Sequence, residues 1–157
     1  MFKRSLIALA CLSCFVGNLP AADDPLTQAV GDANAKFYAA LNAMFVGNLG
    51  PMQAVWSHAE DVSYLGPDGS YLLGWDATLK DWKKQADMNL GGHVQPQEIR
   101  ITVGRDLAIV HNYEVGENKI DGNLTKFKIR ATNIFRKENG AWKMIGHHTD
   151  ILSFLHK

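Results

Sequence analysis

The sequence predicts an α+β domain, in which three helices from the N-terminal half cover one face of an antiparallel β-sheet formed by the C-terminal half. Three observations predict it. Apolar residues recur at helical spacing in Ala33, Phe37, Leu41 and Met44, and again in Trp75, Leu79, Trp82 and Ala86. After Gly91-Gly92 the period falls to that of strands. Asn139-Gly140 then separates two alternating runs, which is the strongest short-range signal for a two-residue hairpin turn.

The first 22 residues read as a secretory leader. Lys3 and Arg4 are its positive end, Leu6 to Val16 its apolar stretch, and Leu19-Pro20-Ala21-Ala22 a small-residue cleavage site. The apolar run is too short to span a bilayer comfortably, so no membrane span is expected in the mature chain. A retained N-terminal anchor is the alternative reading, and a lipid attachment at Cys11 or Cys14 is another, which the residues ahead of each cysteine fit poorly. Residues 23–157 are then one domain, periplasmic or secreted. Cys11 and Cys14 both fall in the leader, which leaves the mature chain without a disulfide, a thiolate nucleophile or a cysteine metal ligand. The 16 Lys and Arg balance 16 Asp and Glu, so there is no basic footprint for nucleic acid.

The elements follow in order. Asp24-Pro25 opens the first helix as cap and first-turn proline, and Gly47-Asn48 closes it. Gly50-Pro51 starts a short second helix with Met52, Val55 and Trp56 inside. Val62–Leu65 and Tyr71–Leu73 are short strands around the Pro67-Asp68-Gly69 turn. A third helix runs from Trp75 to about Met88. Gln97–Val103 and Leu107–Val115 form a hairpin, and Gly116 to Asn123 reads as a turn-rich connection.

The last hairpin spans Phe127 to Asp150. Counting outward from Asn139-Gly140, a regular ladder sets Phe135 opposite Met144, Asn133 opposite Gly146, Ala131 opposite His148 and Ile129 opposite Asp150. That face is mostly apolar and must be covered, yet it carries Asn133, His148 and Asp150. Each unpartnered buried polar group costs about 1–3 kcal/mol, so three together imply a polar network or a wet cavity. The opposite face would carry Lys128, Arg130, Thr132, Ile145 and His147. A β-bulge would exchange parts of the two faces.

Three stretches resemble the SnoaL-like branch of the nuclear transport factor 2-like superfamily, whose members share a cystatin-like α+β cone. They are Trp56-Ser57-His58-Ala59-Glu60-Asp61-Val62 with Gly66-Pro67-Asp68-Gly69; Gly74-Trp75-Asp76; and Phe135 to Ile145 with His147-His148 beyond. The resemblance covers nearly the whole mature chain. It implies a curved antiparallel sheet wrapped around the three helices, cone-shaped with a central pocket. The superfamily holds isomerases, cyclases, dehydratases, kinase hub domains and plain binding modules, so the fold alone names no activity. The ketosteroid isomerase general base would fall at Gly66, which has no side chain to take a proton. The oxyanion-stabilising acid would fall near Thr132 or Asn133. The hub domain's three pocket arginines would fall at Glu114, Asn133 and Thr149, so its anion-binding cluster is missing.

The candidate catalytic set is His148, Asp150 and Asn133. Residues two apart on a strand share a face, so Asp150 could orient His148 as an acid–base, with Asn133 donating a hydrogen bond. A structural pair at a strand end is the competing reading. Trp56, Tyr64, Trp75 and Trp82 suit the wall of a pocket for a small, partly apolar ligand, and ordinary core is the alternative for them. Asn112 and Glu114 join the pocket if their parity faces inward; otherwise Ile109, His111 and Tyr113 do. His58 with Asp61 could reach the pocket mouth or simply bond a turn. The spacing of His93, His111, His147 and His148 offers no metal site, and no Gly-rich phosphate loop or G-x-S-x-G motif appears, so no cofactor is expected. The functions left open are an exported ligand-binding module, an isomerase, cyclase or dehydratase working through His148 and Asp150, and an oligomerisation scaffold. A homodimer through the outer sheet face suits all three.

Overall fold

The computed structural model of the chain describes residues 24–120 and 122–150, and the expected leader lies outside them. Helices α1 (Pro25–Met44), α2 (Gly50–Val55) and α3 (Trp75–Asp87) accompany strands β1 (Ser63–Leu65), β2 (Tyr71–Leu73), β3 (His93–Val103), β4 (Leu107–Ile120), β5 (Asn123–Glu138) and β6 (Ala141–Asp150). Among the described residues these strands form one curved, open sheet in the order β2-β1-β6-β5-β4-β3. This is the expected α+β class, with helices from the N-terminal half on the inner face. No described helix is long and apolar enough to cross a membrane.

Pro25 sits in the first turn of α1, where its missing N–H costs nothing. Asp24 precedes it but caps no helix N–H; its carboxylate accepts from the Thr27 hydroxyl at 3.4 Å. The helix stops where Gly47 takes φ 85° and turns its N–H back to the Met44 carbonyl. The apolar stripe of α1 puts Phe37 and Met44 in one buried core with Phe135 and Met144 of the sheet and with Trp56 and Trp82. Burying each such side chain stabilises the fold by about 1.5–3 kcal/mol.

Three expectations change. The segment 116–123 is mostly strand, because β4 and β5 run on as a ladder to Ile120 opposite Asn123. Gly116 marks a close approach rather than a turn: a Cβ there would lie 2.1 Å from the His93 carbonyl oxygen of β3. The small β1–β2 hairpin also joins the sheet, with β1 parallel to β6.

The third change matters most. Asn139 and Gly140 have φ 49° and 83°, as a type I′ turn requires, and Phe135 does face Met144. The next pair is Ile134 with Gly146, which leaves Ile145 as an extra residue in a β-bulge. Beyond it Asn133 faces His147, Ala131 faces Thr149 and Arg130 faces Asp150. Ile145 half-buries its side chain against the core, while Gly146 fits where a Cβ would meet Ile134 at 3.2 Å and Ser63 at 3.3 Å. Everything past the bulge has exchanged faces relative to a regular ladder.

Candidate functional site

The exchange places His147 and Thr149 inside and His148 outside, with Asp150 at the outer groove. The expected trio of His148, Asp150 and Asn133 is therefore not assembled. Asn133 is fully buried, whereas His148 is exposed beside Thr132 and Arg130 in a shallow outer groove of about 480 Å³. Asp150 is bound by Arg130 through two hydrogen bonds, from Nε at 3.0 Å and Nη2 at 2.7 Å, and this pairing holds its carboxyl below the usual range. It is a counter-ion for arginine, not an orienter of a buried imidazole. His147, expected on the outer face, is the inner histidine instead.

Inside, a polar chain links the helix to three strands. Asn133 of β5 donates from Nδ2 to Asn34 Oδ1 at 2.7 Å and to the Tyr38 hydroxyl at 3.2 Å, both on α1. Its Oδ1 then faces His147 Nδ1 at 2.6 Å. Asn112 of β4 donates to the same Tyr38 hydroxyl at 2.8 Å and to the Tyr113 carbonyl at 3.0 Å. The His147 ring lies between Phe37, 4.9 Å away, and Tyr64, 5.9 Å away and nearly parallel to it. This is a polar network on the inner face, as expected there, but built from a different histidine and left incomplete: Asn112 Oδ1 is buried without a partner.

Glu114 ends the chain. Its residue is 4% exposed, against the base rate for a carboxylate, and its Oε1 lies 3.6 Å from His147 Nε2 with no hydrogen-bond partner. Burial pushes its carboxyl up to about 7, opposed by a hydrogen bond with Tyr38. Burial also pulls His147 down to about 3. Both groups thus favour their uncharged forms, with the titrating proton on the Glu114 carboxyl, rather than forming a desolvated ion pair. Burial raises Tyr38 and Tyr64 far above the ordinary phenol range, so both stay neutral donors.

Glu114, His147 and Thr149 open onto an inner cavity of about 240 Å³. Tyr64, Trp82, Phe45 and Phe127 give it aromatic walls, Leu41, Leu90 and Ile129 add apolar surface, and the Gln85 and Asn118 amides also line it. Thr149 Oγ1 is buried and, like Glu114 Oε1, has no partner. Of the expected wall residues, Tyr64, Trp82 and Glu114 are there. Trp56 is core behind Trp82, with ring centroids 5.9 Å apart, and Trp75 lies elsewhere, stacked on His58 at 4.2 Å. Asn112 supports the network through Tyr38 rather than lining the cavity. His58 and Asp61 part company: His58 Nε2 meets the Gln53 carbonyl, and Asp61 binds Arg136. Gly66 is buried, and a Cβ there would lie 2.7 Å from the Tyr64 hydroxyl, so no acid fits at that point without displacing it.

The SnoaL-like domain pattern matches residues 30–153, most of the chain. The chain belongs to the SnoaL-like domain family. Among solved structures, this SnoaL-like domain is similar to a nuclear transport factor 2-like family protein of Streptomyces avermitilis, itself proposed to be a dehydratase. That match has 24% identity and TM-score 0.70, and covers 81% of this chain and 97% of the other. The CaMKII association domain of C. elegans superposes with TM-score 0.66 at 14% identity, covering 82% and 100% of the two chains. Both likenesses are of fold. The F-box protein SKIP8 of Arabidopsis thaliana is 22% identical over 126 residues, and the SnoaL-like chain spans about half its length.

Two members of the inner set, Asn34 and Tyr38, were not singled out as site residues by sequence. The signal was there: Asn34 interrupts the inner stripe of the first helix, where an unpaired amide would be costly.

Proposed function

We propose that this SnoaL-like domain binds a small, largely apolar molecule in the inner cavity and holds its polar end against Glu114, His147 and Thr149. One observation carries the reading: Glu114 Oε1 and Thr149 Oγ1 are buried polar atoms without partners at the wall of a largely apolar cavity. Native structures leave few such atoms unpaired, and a bound group supplies what the protein does not. The volume, about 240 Å³, lies below that of drug-sized sites and limits the ligand to a small molecule. On the leader-like residues 1–22, the domain works outside the cytoplasm; two copies pair through the outer sheet face. Light scattering at twice the chain mass supports that pairing, and a monomer at high concentration removes it.

The binding test is a fragment screen read by NMR. Shifts gathered at Trp82, His147 and Thr149 support the reading. Shifts confined to His111 and His148 on the outer face overturn it.

A proton-transfer reaction on the bound molecule is the second reading. It is favoured by Glu114, whose carboxyl, raised to about 7, can give or take a proton near neutral pH. The acid–base role then passes from His148 and Asp150 to the buried carboxyl.

A further inference from the structure

The polar end of the cavity has an unusual donor balance, and this inference rests on the binding reading above. The Asn133 amide spends its Nδ2 hydrogens on Asn34 and Tyr38, so its Oδ1 must accept from His147 Nδ1. That fixes the proton of the neutral ring on Nδ1 and leaves Nε2 with a bare lone pair. Nε2 lies 3.6 Å from Glu114 Oε1, too far for a direct hydrogen bond. One nitrogen about 2.9 Å from each could donate to both. A hydroxyl has a single hydrogen and serves one acceptor; an ammonium has three N–H donors. Thr149 Oγ1 is a further unpartnered oxygen on the same wall.

Trp82, also on the wall, keeps one unpartnered donor, its indole Nε1, but the charge around Glu114 is one-sided. Facing Glu114 are Tyr38 from α1, Tyr64 from β1 and His147 from β6, all neutral, and no Lys or Arg is among the described residues that line the cavity. An anionic ligand would meet Glu114 with no counter-charge. A cation would complete a buried pair that the protein leaves half-made. The rings of Tyr64, Trp82, Phe45 and Phe127 offer the faces on which a cation is attracted.

We propose that the inner cavity is a site for a small primary ammonium ion carried on an aromatic or apolar body, with Glu114 as its counter-ion and His147 Nε2 as a second acceptor. Pairing pulls the Glu114 carboxyl back down, so binding expels the proton that the empty site holds.

The test uses three matched probes, benzylamine, benzyl alcohol and benzoate, titrated calorimetrically into the protein. Benzylamine binds most tightly and benzoate most weakly. Benzylamine stays protonated through pH 8, as alkyl ammonium groups do. With the empty-site carboxyl near 7, its affinity rises about tenfold from pH 6 to pH 8 and levels off above, while benzyl alcohol shows no such rise. Glu114→Gln weakens benzylamine about tenfold or more and flattens its pH profile, leaving benzyl alcohol within about twofold. If that variant fails to fold, the wild-type pH profile decides alone. Benzyl alcohol or benzoate binding as tightly as benzylamine overturns the ammonium assignment and leaves the binding reading standing. No binding by any of the three overturns both.

Discussion

Glu114 and His147 impose opposite pH dependences on stability, and the two should cancel. Glu114 is raised from 4.5 in the open chain to about 7 in the fold. Its protonated form suits the folded state, so its contribution is complete below pH 4.5 and is lost as pH rises through 7. His147 is lowered from 6.5 to about 3. Its neutral form suits the folded state, so its contribution is complete above pH 6.5 and is lost as pH falls toward 3. Between about pH 4.5 and 6.5 the folded pair holds one proton, on Glu114, and the unfolded pair holds one, on His147, so the slopes offset. Glu114→Gln removes one side of the balance. Relative to wild type, the variant gains stability with rising pH at about 1.4 kcal/mol per unit, for a total of about 3 kcal/mol by pH 7. His147→Gln does the reverse over the window from pH 3 to 6.5. Urea unfolding at half-unit pH steps, with m unchanged, measures both. A Glu114→Gln difference that stays constant from pH 5 to pH 7 would refute the claim that this carboxyl is buried and protonated.

Three further outcomes follow from the bulge and its surroundings. His147→Ala costs about 3–5 kcal/mol, since it orphans Asn133 Oδ1 and opens a hole between Phe37 and Tyr64, whereas exposed His148→Ala stays within about 0.5 kcal/mol; equal costs would put the wrong histidine inside. Deleting Ile145 removes the unpaired residue, so Asn133 still meets His147, and the histidine ring keeps its inner NMR environment; a solvent-exposed His147 in that variant contradicts the register. Gly116→Ala forces a Cβ against the His93 carbonyl and destabilises by about 3 kcal/mol in the same urea assay, and a neutral result would mean β3 does not approach so closely.

The fold was legible because its signals were redundant. The stripe of Phe37, Leu41 and Met44, the turn at Asn139-Gly140 and the switch to strand period each pointed to the same layers, and a few residues of boundary error changed nothing. The register past Phe135 had no such redundancy. In a regular ladder the inner residues are Met144, Gly146, His148 and Asp150; with the bulge they are Met144, His147 and Thr149. Gly146 has no side chain to favour either face, the two histidines are chemically identical, and Ile145 is content half-buried. Hydropathy separates the two registers only at the last pair, where Thr149 rather than Asp150 turns inward. The contacts that the inner histidine makes come from other elements: Asn34 and Tyr38 on α1 bind Asn133, and Asn133 binds His147. The inward carboxyl was hidden for the same reason, since its neighbours Tyr38 and His147 come from other elements and base rates put a lone Glu in solvent. The polar centre of this domain is thus specified by contacts between elements, while each element is specified by its own sequence. One inserted residue in β6 can change which side chains reach the cavity without altering the cone that encloses it. Within such a frame, the chemistry of the site depends on the position of a bulge as much as on the identity of the residues around it.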